Sequence, residues 1–135
     1  MKKTIVLLII ILLGIKLNSN SQVLVNKISD IDVLIQNKSQ FINHPFSFLL
    51  NHISLEIKKA RAYPAGATAV FTDGVFLLYF VDNNEYDNLI RLNKIPTSII
   101  VVVKEDFVWK PKLTNWNKLD AEKYGNLTVI DIGKF

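Results

Sequence analysis

His44 and His52 are the residues whose type first suggests chemistry, and both fall in the stretch "FINHPFSFLLNH", residues 41–52. A zinc-binding or catalytic pair needs two rings that converge, backed by a carboxylate or a third ligand. Histidines four apart share a helix face, but these are eight apart, and His44 precedes Pro45. Two helical turns separate such positions by about 12 Å, too far for one metal ion. No His-Glu-x-x-His spacing occurs. The pair is therefore read through backbone geometry: Asn43 or His44 caps a helix that opens at Pro45, and His52 sits at its polar end, where the dipole favours it.

Other chemistries fare no better by spacing. "DNNEYD", Asp82 to Asp87, sets oxygen ligands in a row but lacks the glycine and distal glutamate of a calcium loop. It reads as a helix start, with Asp82 capping and Glu85 three residues on. No serine lies in a Gly-x-Ser-x-Gly elbow. Ser47, His44 and Asp30 could be named as a triad, yet nothing in their spacing prefers them. Glu105 and Asp106 are adjacent at a strand end and point to opposite faces, a poor pair for glycoside cleavage. There is no glycine-rich phosphate loop, and no pattern calls for a cofactor or a metal.

The stretch "FVWKPKLTNW", Phe107 to Trp116, is more informative. It sets Trp109 and Trp116 beside Lys110 and Lys112. Exposed indoles with polar neighbours bind sugars, peptides or partner proteins. The alternative use of both tryptophans is to fill core or cover a sheet edge.

The elements that must position these residues follow from periodicity and breakers. "QVLVNKI" is a tether or a short first strand, and Ser29 or Asp30 caps a short helix after it. Phe46, Leu49, Leu50 and Ile53 form one helical face. "SLEIKKARAY" either continues that helix through Ile57 and Ala60 or, the favoured reading, is a strand with Leu55, Ile57 and Tyr63 on one side; Pro64 and Gly66 close it either way. "ATAVF" and "VFLLYFV" flank Asp73-Gly74, which suits a type I′ hairpin turn. Tyr86, Leu89 and Ile90 form a second helical face, closed by Pro96. "TSIIVVVKE" is typical of a strand buried on both faces. "TNWNKLDAEKYG" is a last helix with Gly125 as a left-handed cap. "NLTVIDI" alternates as a final strand. Interleaved helices and strands around a hairpin argue α+β: a single small domain, a mixed sheet with a central β-hairpin and helices packed on one face.

The leading residues read as an address. Lys2 and Lys3 precede the apolar run Ile5 to Ile15, and Ser19 and Ser21 suit cleavage before Gln22. The run spans 11 residues before Lys16, whereas a spanning helix needs about 20. The expected division is a secretory signal peptide over 1–21 and one α+β domain over 22–135, exported to the periplasm or beyond, with no stable membrane span after cleavage. The whole chain carries 16 basic and 12 acidic residues, a net of +4. The leader holds three of those lysines and no acid, so the remainder has 13 basic and 12 acidic residues, a net of +1. That balance demands no nucleic acid. The chain has no cysteine, which excludes thiol catalysis, disulfides and thiolate metal sites.

"FINHPFSFLLNHISLEIKKARAYP", the hydrophobic hairpin, "YDNLIRLNKIP" and "IIVVVKEDFVWK" together resemble small exported proteins of Bacteroidota-type bacteria. The resemblance spans Ile31 to Trp116 and implies a periplasmic or cell-surface setting. It brings no activity and no functional residues.

Three functions are then in view. The first is a non-enzymatic binding module for an envelope protein or glycan, using Trp109, Lys110, Lys112 and Trp116. The second is a small hydrolase-like enzyme with His44 or His52 as general base. The third is an inhibitor or immunity-type protein presenting Tyr63 to Ala67. Clustered, exposed tryptophans would favour the first, and a cleft holding a histidine with a carboxylate the second.

Overall fold

Alternation along three neighbouring strands builds the centre of the molecule. β1 (Lys59–Tyr63), β2 (Gly74–Tyr79) and β3 (Ser98–Val103) run antiparallel, with Ala62 opposite Phe76 and Phe76 opposite Val101. Cβ atoms alternate across a strand, so Ala60, Ala62, Phe76, Leu78, Ile99, Val101 and Val103 share one face. All seven are buried. The computed structural model describes residues 22–109 and 112–135. The expected leader therefore lies outside the described residues, as do Lys110 and Pro111.

Helices α1 (Asp30–Gln36), α2 (Phe46–Leu50) and α4 (Lys118–Tyr124) close over that face. Ile31 and Leu34 from α1, Phe46 and Leu49 from α2, and Tyr124 from α4 join the strand residues in one core. A 3-10 turn (Lys38–Gln40) delivers buried Phe41 between α1 and α2. Helix α3 (Asn83–Arg91) follows β2 and meets the opposite face at one end, where Tyr86 packs edge-on to Tyr79 at 5.4 Å. The sheet is completed by β4 (Thr114–Asn115) and β5 (Val129–Lys134), in the order β4-β1-β2-β3-β5. The α+β reading of a single small domain holds. The expected mixed sheet is instead antiparallel in every ladder: β1, β2 and β3 follow one another as neighbours, and the chain then crosses to one edge for β4 and to the other for β5.

Several local expectations need correction. Asp73-Gly74 is not a two-residue turn. Residues 64–73 form a long connection in which Gly66 has φ +71°, and Gly74 opens β2. A Cβ on Gly74 would lie 2.6 Å from the Phe107 ring, so space explains that glycine. Pro45 stands one place before its helix, with ψ 145°, after Asn43 at φ +64°. Gly125 is right-handed (φ −60°), and a Cβ there would lie 2.6 Å from the Ala121 carbonyl. β3 is fully buried on one face; Ile100 and Val102 on the other are half-buried, since α3 covers the far end alone. The last helix begins later than expected because Thr114 and Asn115 pair with β1.

Candidate functional site

The two tryptophans arrive at one edge of the sheet for a definite reason. β4 pairs with the start of β1, Thr114 opposite Ala60 and Asn115 opposite Lys59, and the Trp116 backbone N–H donates to the Lys58 carbonyl at 3.0 Å. Next, Asn117 caps α4: its side chain accepts from Asp120 N–H at 3.1 Å, while the Asp120 carboxylate accepts from Asn117 N–H at 3.0 Å. An extended strand pinned to a capped helix leaves Trp116 little freedom.

Both indoles are half-buried and lean on the core. Trp109 lies edge-on to Phe76 at 5.8 Å and tilts against Tyr124 at 5.4 Å. Trp116 meets Phe46 at 6.2 Å and Phe76 at 6.4 Å. The Trp109 Nε1–H donates to the Lys112 carbonyl at 3.3 Å, and the Tyr124 hydroxyl donates to the Val108 carbonyl at 2.9 Å. The first bond links Trp109 to Lys112, and the second ties Val108 to α4. Lys112 is thus seen to act through its backbone, with its side chain exposed. Lys110 lies outside the described residues.

Each tryptophan also lines a surface pocket. Trp109 borders one of about 370 Å³ with Asn117, Asp120, Lys123 and Tyr124. Trp116 borders one of about 520 Å³ with Glu56, Lys58, Lys59 and Asp82. Asn115 borders both, so β4 is the wall between them. The expected single surface therefore divides into two sites that meet at a two-residue strand.

The larger pocket contains a residue the sequence did not single out. Lys59 is 5% exposed, and its Nζ donates to Asn115 Oδ1 at 2.9 Å. Its other cross-strand neighbour is Tyr79. Burial, and then the nearby Tyr86, push the Tyr79 phenol up to about 12, so it is a neutral hydroxyl beside the lysine. Asp82 caps α3, with Oδ1 accepting from Glu85 N–H at 2.9 Å. "EIKKARAY" signals two adjacent lysines, but strand register decides which of them is buried.

His44 and His52 flank one ring instead of one ligand. Their centroids lie 4.9 and 4.7 Å from Phe48, and His52 also packs edge-on to Phe41 at 5.1 Å. His52 Nδ1 is 2.7 Å from the Phe48 carbonyl, a bond one helical turn back. Glu105 does not face Asp106 across a cleft. Its carboxylate accepts from the Thr128 hydroxyl and backbone N–H, both at 2.6 Å, and these bonds hold it below the usual carboxylate range. Among the described residues no group of three histidine, aspartate or glutamate side chains is arranged to hold a metal. No described helix is long and apolar enough to cross a membrane. The chain matches no protein-family model, no curated protein and no solved structure.

Proposed function

We propose that the protein is an exported, non-enzymatic module that binds a glycan of the cell envelope at the β4 edge. The observation that carries this reading is the pair of core-anchored indoles, each bordering a shallow pocket whose polar groups are side-chain amides, carboxylates and lysines. Sugars offer apolar ring faces for aromatic contact and hydroxyls that both donate and accept. Pre-fixed side chains lower the ordering cost of holding such a ligand. A hydrolase based on His44 or His52 has weaker support, because their near neighbours are phenylalanine rings instead of a carboxylate. The Tyr63 to Ala67 loop has Tyr63 packed on Phe71 at 5.2 Å, which supports a local structural use.

The chain contains two tryptophans, both at this edge, so indole emission reports on the site directly. Oligosaccharides released from envelope polysaccharide should give a saturable change in emission. Trp109→Phe and Trp116→Phe, which keep an aromatic ring against the core, assign the change to one pocket. Absence of any saturable response, by emission or calorimetry, would sink the glycan reading. Export is tested separately by the N-terminus of the protein from the envelope fraction, expected at Gln22.

A further inference from the structure

We infer that the pocket between β1, β4 and the start of α3 takes a sugar carrying a carboxylate, and that the Lys59 ammonium holds that carboxylate. This deepens the glycan reading and rests on it. An ammonium has three donors, and Lys59 uses one of them on Asn115 among the described residues. It is 95% buried by its 5% exposure, yet it takes part in no ion pair there. Lysines this deep are almost always paired, because a buried charge without a counterion is costly. The two carboxylates that border the same pocket do not supply the counterion: Glu56 and Asp82 stand more than the 4 Å ion-pair distance from Lys59. Tyr79, the cross-strand neighbour, is neutral. The nine-residue helix α3 begins at this pocket and adds the positive end of its dipole. An incoming monoanion completes this arrangement.

The rest of the pocket selects the body of the ligand. About 520 Å³ is within the range of ~300–1,000 Å³ usual for small-molecule sites. Trp116 borders the pocket with its ring anchored on the core, and Glu56 and Asp82 offer acceptors for sugar hydroxyls. The same two carboxylates repel a multiply charged anion such as phosphate. One carboxylate on a hydroxyl-rich ring satisfies every feature at once.

The test is calorimetric titration of the protein with an aldotetraouronic acid, a xylo-oligosaccharide carrying a single glucuronate, and with its carboxyl-reduced, neutral counterpart. The acid should bind at least about tenfold more tightly, as expected for a charge-assisted hydrogen bond. Its advantage should shrink as salt is raised. Lys59→Met, checked for folding by circular dichroism, should abolish the preference for the acid. Should that variant unfold, the acid-to-neutral ratio of the wild type decides alone. Equal affinity for the two oligomers overturns this inference and leaves glycan binding intact. Binding of neither overturns both. Displacement of the uronate by an equal concentration of inorganic phosphate overturns the sugar assignment, because a bare anion then suffices.

Discussion

Tyr124 links the candidate site to the core through one atom. Its ring packs on Phe76, Phe107 and Trp109, and its hydroxyl donates to the Val108 carbonyl at 2.9 Å. Tyr124→Phe keeps the packing and removes that bond, so it should cost about 1 kcal/mol in urea denaturation. It should also speed amide exchange in residues 107–109; unchanged exchange would show that the indole bond alone secures the segment. Gly125 beside it is required by space. An added Cβ would press on the Ala121 carbonyl at 2.6 Å and on Ser47 at 3.1 Å. Gly125→Ala should therefore destabilise by about 1–3 kcal/mol, although its φ of −60° suits alanine. A neutral or stabilising result would mean that α2 and α4 separate easily. At this scale Trp109 and Trp116 were legible, because residue type alone marks them. Lys59 was not: Lys58 and Lys59 are identical in sequence, and the pairing of β4 with β1 is what buries the second.

Elements were legible where a period ran long and misread where tertiary pairing set the boundary. Phe46 and Leu49 are buried and Leu50 partly so, as the spacing implies, but α2 ends at Leu50 and Ile53 bridges Val25 instead of extending the helical face. Asp82 caps α3 as its position suggests. The Asp-Gly pair misled because a local turn propensity yielded to the β2–β3 register, which places Gly74 at the start of the ladder opposite Val103. β3 misled differently. An unbroken β-branched run describes composition but not coverage, and helices α1, α2 and α4 cover one face. Adjacent residues measure the asymmetry. Ile99 is 0% exposed and lies in the core, while Ile100 on the other face is half-buried. Ile99→Ala should cost about 2–5 kcal/mol, with Ile100→Ala at less than half of that. Equal costs in denaturant titration would mean that something further covers the outer face in solution.

At the scale of the whole molecule, carboxylates tie the last strand to the rest. β5 is an edge strand, and edges need covering. Glu105 binds Thr128 just before it, Asp131 within it pairs with Lys38 at 2.6 Å, and Lys134 at its end pairs with Asp32 at 2.8 Å. The Thr128 hydroxyl and N–H hold Glu105 below its ordinary 4.5, and the Lys38 ammonium holds Asp131 below its ordinary 3.8. Depressed values mean that the unfolded chain binds more protons than the folded one, so acid favours unfolding. This stability is complete above the ordinary values and drains away as pH falls from about 4.5 through the lower folded ones. The thermal midpoint should therefore hold steady down to that pH and drop below it. These groups are exposed, so the drop should be shallow and partly screened by salt. Glu105→Gln should lower the midpoint at neutral pH and flatten the acid limb, because the proton that breaks the Thr128 clamp no longer has a site. If the acid limb keeps its slope in Glu105→Gln and in Asp131→Asn, these clamps do not govern acid unfolding, and the β5 edge is held by the Val101–Ile132 core pairing instead.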